Sequence, residues 1–199
     1  MITHRAECLQ WWRTLCFVTD TLAVSGDLDG RDATTMDTQL SGWVSCGITD
    51  VVDVRDEWTD EDFVAQAAPT LNYHHLGTHD NGGRQAATWF SAGVECALDA
   101  IEGGGKVLVH CHMGVNRAPS LAYAVLLAQG YDCVEALSMV RSARPIAAIR
   151  YADEALRWWH GQNGTTTPQR TLDRARVAGW VRDNPLDEGW IVSYLNQSA

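Results

Sequence analysis

No stretch of this sequence is apolar for long enough to cross a bilayer. Its first residues, Met1-Ile2-Thr3-His4-Arg5-Ala6-Glu7, lack the charged-then-apolar order of a secretion signal. Together these absences make the cytoplasm the expected compartment. A basic excess is missing too: 15 Lys and Arg face 25 Asp and Glu, for a formal net charge of −10. Residues 161–199 hold four arginines against four acids, so the whole excess belongs to the body before them. Duplex nucleic acid wants a basic stripe and anionic lipid a basic patch, so neither partner is expected. A local positive pocket inside an acidic body is still compatible with these numbers. No two of the six cysteines are spaced CxxC. Cys8, Cys16, Cys46, Cys96 and Cys133 therefore read as buried thiols rather than bridges. Fixed-period repeats and low-complexity tracts are absent as well.

What is present suits one folded domain. Nearly half the residues are apolar, and 199 residues can bury a core without disulfides or metals. Nine tryptophans, among them the pairs Trp11-Trp12 and Trp158-Trp159, read as large core anchors. Residues 12–28 read as two short extended segments ending in turn-rich Gly26-Asp27-Leu28-Asp29-Gly30. Met36 to Cys46 reads as a helix with Asp37 near its start, and Ile48 to Val54 as a buried strand. A helix over Asp60–Ala68, a strand over Leu71–Leu76 and a loop from Gly77 to Gly83 follow. Apolar residues at helical spacing predict a helix over Gln85–Glu102, and Lys106–His110 is a buried strand. Three helices are expected over Pro119–Gln129, Asp132–Arg144 and Arg150–His160.

Strands alternating with helices predict a single α/β domain, a central and mainly parallel sheet flanked by helices. Residues 1–160 form the expected body, 161–169 a linker and 170–199 a short helical tail docked on the body. Within the tail, Leu172, Val177, Trp180 and Val181 line one helix face, and Asp187 to Leu195 makes a last turn or two. A lid or partner-binding role is the alternative for this tail.

The chemistry concentrates in Val107-Leu108-Val109-His110-Cys111-His112-Met113-Gly114-Val115-Asn116-Arg117-Ala118-Pro119-Ser120. A buried strand runs into a cysteine, then a loop with a central glycine, then an arginine opening an apolar helix. A helix N-terminus offers unsatisfied N–H groups and partial positive charge, which suits a phosphate dianion. Loop amides from His112, Met113, Gly114, Val115 and Asn116 can face inward as a nest. Arg117 adds a planar fork for two phosphate oxygens. The same field is expected to lower the thiol pKa of Cys111, and only the thiolate attacks. His110 is placed to help orient it. His112 has no partner at ligand spacing, so neither metal nor cofactor is expected.

His-Cys-x-x-Gly-x-x-Arg resembles the signature of the cysteine-dependent protein phosphatases, and the surrounding spacing is similar to their dual-specificity branch. The resemblance extends from about Leu22 to His160 and includes Val140-Arg141-Ser142-Ala143-Arg144-Pro145. It implies Cys111 as nucleophile, Arg117 as phosphate clamp, and a general-acid aspartate on a loop some way before the cysteine. Asp80 stands at that spacing, with Asp99 and Glu102 as weaker candidates. Arg144 matches a position where some relatives carry a second anion-contacting arginine; a salt bridge or helix-end role is the alternative. Arg55 is open between structural ion pair and site. Most of the family carries a hydroxyl residue where this chain has Ala118, as the phosphatases of regenerating liver also do, which implies slow breakdown of a phosphocysteine. Ser120 is not expected to substitute for it.

The implied substrate is a phosphorylated protein: phosphotyrosine, with phosphoserine or phosphothreonine if the pocket is shallow. Three alternatives stand beside it. An RNA 5′-phosphatase would share Asn116 before the arginine, a phosphoinositide phosphatase would favour loop lysines that are absent here, and a slow phosphate-binding module would account for Ala118. Nothing in the sequence fixes an oligomeric state.

Overall fold

The computed structural model describes residues 11–187 together with Gly189, Ile191 and Ser193. Five short strands form one sheet: β1 (Cys16–Phe17), β2 (Leu22–Ser25), β3 (Asp50–Asp53), β4 (Asn72–His75) and β5 (Val107–His110), in the order β1-β2-β5-β3-β4. β1 runs antiparallel to β2, and every other pairing is parallel. A parallel sheet needs cover on both faces, and side-chain alternation along the strands assigns it. Leu22, Val24, Val52, Val54, Val107 and Val109 face the larger core, under α3 (Ala87–Glu102), α4 (Arg117–Ala128), α5 (Cys133–Ala143) and α6 (Ala152–Gln162). Ala23, Val51 and Leu108 face α1 (Ala33–Ser45) and α2 (Glu61–Ala67), against Leu40, Trp43 and Val64. β5 is central, so the segment leaving it at Cys111 emerges at the middle of the sheet's C-terminal edge, where parallel α/β sheets place their ligands.

α4 is buried along almost its whole length, from Arg117 to Leu127. α3 approaches it through Gly93, where a Cβ would lie 2.6 Å from Leu121 Cδ1. The expected elements are present, with shifted ends. α1 begins at Ala33 rather than Met36, because Asp32 and not Asp37 caps it, accepting from the N–H groups of Thr34 and Thr35.

The linker expected over 161–169 is shorter than that. α6 runs to Gln162 and α7 (Thr167–Asp183) starts on a Thr166 cap with Pro168 in its first turn, so only residues 163–166 connect them. α7 lies on α5 and α6. Trp180 Nε1 donates to Ser138 Oγ at 2.9 Å, Arg176 forks onto Asp132, and Val177 is buried. Ile191 packs with Trp12, Val115 and Ile146. The last turn expected over Asp187–Leu195 falls largely outside the described residues, as do Cys8 and the side chain of Trp11. No helix among the described residues is long and apolar enough to cross a membrane.

Tyr123 of α4 is fully buried, and its hydroxyl has no hydrogen-bond partner among the described residues. Burial pushes its phenol far above the ordinary value. An unmet buried hydroxyl costs about 1–3 kcal/mol, so Tyr123→Phe is expected to raise the thermal midpoint. A fall in that midpoint would show that the hydroxyl is satisfied in solution.

Candidate active site

From β5 the chain turns through residues 111–116 into α4, and the carbonyls of His112 to Asn116 each accept from a donor of the protein. His112 O accepts from Asp27 N at 3.1 Å, and Val115 O from Ala148 N at 2.6 Å. Arg144, at the C-cap of α5, reaches Gly114 O through Nε at 2.5 Å and Met113 O through Nη2 at 2.9 Å. Asn116 O accepts from Ser120 N in the first turn of α4. With these carbonyls engaged, amides are left for the inner side, and those of Gly114 and Ala118 bond to the Cys111 sulfur. Gly114 makes the turn at φ 62°. A Cβ there would lie 2.6 Å from Ser25 O and strike the Arg144 guanidinium, so no side chain fits.

Among the described residues Arg144 contacts no carboxylate, so it makes no salt bridge. Its other acceptors are Trp12 O at 2.5 Å, Thr14 O at 3.3 Å and the Cys16 sulfur at 3.5 Å. It stands at the end of α5, as the helix-end alternative had it, and shapes the loop from behind.

Cys111 lies at the floor of the loop, only 2 % exposed. Burial pushes its thiol pKa up. Arg117 and the backbone N–H groups of Ala118 and Gly114 pull it down, and Asp80 pushes it up again. Burial prevails, so without ligand the thiol sits above its ordinary value, contrary to the depression expected from sequence. Arg117, the largest of the groups that pull the thiol down, is itself engaged. Its two terminal nitrogens fork onto Glu57 at 2.7 Å each; Nη1 also meets Thr78 O at 3.0 Å and Asp56 Oδ1 at 3.2 Å. The positive charge beside the sulfur is largely spent on carboxylates. Glu57 was missed from sequence, although Arg55-Asp56-Glu57 follows β3 directly.

Asp80 is brought to the same place. Its Oδ1 accepts from Asn116 Nδ2 at 2.7 Å and from the Tyr151 hydroxyl at 2.8 Å, and its Oδ2 lies 3.6 Å from Arg117 Nε. The Asn116 side chain is thus a bridge, beyond the N–H contribution expected of it: its Oδ1 accepts from Arg150 N at 2.8 Å. Tyr151, also missed, keeps its proton because burial and the Asp80 carboxylate raise its phenol. Ser120 Oγ donates to Asn116 Oδ1 at 3.4 Å and accepts from Tyr151 N at 3.3 Å.

His110 does not orient the cysteine through a hydrogen bond. Neither ring nitrogen has a hydrogen-bond partner among the described residues; Nε2 lies 3.8 Å from Asp53 Oδ1, and the ring packs beside Trp43 and Tyr73, fully buried. Burial lowers its pKa to about 4, so it is a neutral packing residue. Arg55 resolves as an ion pair, its fork on Asp53 with Asp60 Oδ2 at 2.6 Å. His112 turns outward to Asp27, Nδ1 to Oδ2 at 2.8 Å, with Trp58 edge-on to its ring. Asp99 and Glu102 lie at the far end of α3. The described residues contain no group of three or more His, Cys, Asp or Glu arranged to hold a metal.

The family model described as dual specificity phosphatase, catalytic domain, matches residues 34–155, more than half of the chain. The chain belongs to the dual-specificity phosphatase family. Mouse dual specificity protein phosphatase 2 is 25% identical over 114 residues, covering 57% of this chain and 34% of the relative. Rat dual specificity protein phosphatase 5 is 27% identical over 82 residues, covering 41% and 21%. The chain thus spans about a third or less of the length of these curated relatives. Among solved structures, human DUSP28 aligns with a TM-score of 0.61 at 20% identity, covering 75% of this chain and 95% of that one. A mouse putative dual specificity phosphatase complexed with zinc tungstate aligns with a TM-score of 0.62 at 21% identity, covering 76% and 90%. These two share the fold.

In this dual-specificity phosphatase domain, quenching of Arg117 by Glu57 has a measurable sign. Glu57→Gln leaves more positive field for the sulfur, so the Cys111 thiol should ionise at lower pH. Alkylation by iodoacetamide, followed against pH, should begin earlier and run about tenfold faster at neutrality. An unchanged or later onset would show that Glu57 does not restrain the thiol.

Proposed function

We propose that this domain hydrolyses phosphate monoesters on protein side chains, phosphotyrosine and also phosphoserine or phosphothreonine, through a phosphocysteine intermediate. The observation that carries the reading is the outward anchoring of successive loop carbonyls around Cys111, with Arg117 and Asp80 at the same mouth. Such a nest suits a tetrahedral dianion, and little else needs every amide turned inward.

In the proposed reaction the dianion displaces Glu57 from Arg117, which regains its charge for the equatorial oxygens. Cys111 gives its thiol proton to the Asp80 carboxylate, the resulting thiolate attacks phosphorus, the phosphorus–oxygen ester bond breaks, and Asp80 delivers that proton to the departing oxygen. Water then attacks the phosphocysteine and gives its proton to Asp80. The phosphorus–sulfur bond breaks, releasing inorganic phosphate and restoring the thiolate. Ala118 carries no hydroxyl to ease that departure, and Ser120 Oγ is engaged with Asn116 and Tyr151. The second step is therefore the slow one.

Wild type should show a burst of p-nitrophenol from p-nitrophenyl phosphate followed by a slower steady rate, and Cys111→Ser should show neither. Ala118→Ser should raise the steady rate and leave the burst intact. A chain with no Cys111-dependent turnover of any phosphoester would overturn the reading in favour of a binding module.

The acid has its own test. Asp80→Asn should slow phosphopeptides, whose leaving groups need a proton, about 100-fold, and p-nitrophenyl phosphate far less. Tyr151→Phe should give the same pattern more weakly. Equal losses on both substrates would remove Asp80 from the acid's role.

A further inference from the structure

Between α6 and α7 lies a cavity of about 460 Å³ lined by Arg157, His160, Thr167, Arg170, Thr171 and Arg174. Three guanidinium groups meet there on a chain of net charge −10. Their acidic company is thin. Arg157 Nη2 and Arg174 Nε share a single carboxylate, Asp153, at 2.6 and 2.7 Å. Arg170 is bonded to carbonyl oxygens, Nε to Thr165 O at 2.8 Å and Nη2 to His160 O at 3.3 Å, with no carboxylate in reach among the described residues. Buried Asp173 is committed to His160 at 3.1 Å and Arg176 at 3.5 Å. With Arg176 taken up by Asp132, three cations stand against Asp153 and Asp173 and leave positive charge in excess at this cavity. These bonds also order the forks before any ligand arrives, which reduces the entropy lost on binding.

The cavity borders, at Arg157, on a hollow that reaches the loop carrying Asp80. Arg157 lines a second hollow of about 350 Å³ together with Arg84, Gln85, Glu154 and Trp158. Arg84 and Gln85 continue the loop that carries Asp80, and Gln85 Nε2 donates to His79 O at 2.8 Å. Tyr151, bonded to Asp80, is the N-cap of α6. Six residues of helix separate it from Arg157 and nine from His160, which is ~9 to ~14 Å at 1.5 Å per residue. An extended polypeptide covers that span in about three or four residues.

We propose that this arginine-lined cavity is a second phosphate site, which takes a phosphorylated side chain about three or four residues from the one hydrolysed, on the same polypeptide. The proposal rests on the phosphatase reading for its substrate, and on the cavity's own charge for its chemistry. Planar forks fit two phosphate oxygens at once. The excess positive charge favours an anion there.

The test compares peptides bearing one phosphotyrosine with peptides bearing a further phosphoserine three or four residues away. On wild type the second phosphate should lower KM about tenfold, the scale of one charge-assisted contact, with kcat unchanged and the gain shrinking as salt rises. Arg170→Gln should abolish the gain, and so should Thr171→Glu, which sets a carboxylate in the cavity without removing a guanidinium. Both variants should keep wild-type rates on p-nitrophenyl phosphate, which also shows that they fold. Equal KM values for the two peptides on wild type would overturn the proposal, as would a gain that survives both variants. A parallel binding titration uses Cys111→Ser protein. If no turnover is seen but Arg170→Gln in that background still weakens the doubly phosphorylated peptide alone, the phosphatase reading fails and the second site stands. If inorganic phosphate binds the cavity as tightly as the peptide's second phosphate does, the site serves free anions and the substrate-borne assignment is wrong.

Discussion

Arg144 stands buried at the end of α5 with backbone carbonyls for partners, from Met113 and Gly114 in the loop and from Trp12 and Thr14 before the sheet. Burial lowers its pKa, so the protein bears a desolvation cost to keep a cation there. What it gains is the direction of the loop. Free carbonyl dipoles would turn towards the phosphate position and repel a dianion, and the neighbouring amides would then face protein. Gly114 and Arg144 are two halves of one constraint, because the same space cannot hold a Cβ and the guanidinium. The cradle is thus built by segments remote in sequence, with the loop itself supplying only its amides.

A second constraint follows from the first. A nest of amides beside a lone arginine would attract any passing anion, and here the protein's own carboxylates occupy that role. Glu57 and Asp56 bond to Arg117, while Asp80 lies near its Nε. This arrangement fixes the fork in place, while at Cys111 burial outweighs the pull of the guanidinium on the thiol. On the proposed reading an entering phosphate takes the place of a carboxylate partner on Arg117.

Local features carried most of the fold. The β-branched run before Cys111, the apolar helix after Arg117 and the alternation in Leu22-Ala23-Val24 each point to one solution, and the structure adopts it. Element ends were less legible where two caps competed, as Asp32 and Asp37 did for α1, or where Gly161 and Gly164 suggested a longer break than the four residues between α6 and α7. In the site, the motif of a single loop pointed to Cys111 and Arg117, and the family resemblance pointed to Asp80 on a separate loop before α3. Glu57 and Tyr151 were not visible, since their roles exist only through contacts 60 and 71 residues away in sequence. The function of Arg144 was hidden for the same reason: a cation's sequence position says nothing about whether carbonyls or anions surround it.

The strongest sign that Asp80 is held rather than loose comes from Ile149. It adopts φ 54°, the left-handed region that a β-branched side chain resists, at a cost of about 1–3 kcal/mol. The twist presents the next two N–H groups to the site, Arg150 N to Asn116 Oδ1 and Tyr151 N to Ser120 Oγ. Asn116 then has its amide orientation fixed, with Nδ2 directed at Asp80. Swinging Asp80 away would leave that buried amide and the Tyr151 hydroxyl without acceptors, a penalty of about 1–3 kcal/mol for each group left unmet. The strain at Ile149 is of the same size as what it secures, so the docked position of Asp80 is the state this backbone is built to keep.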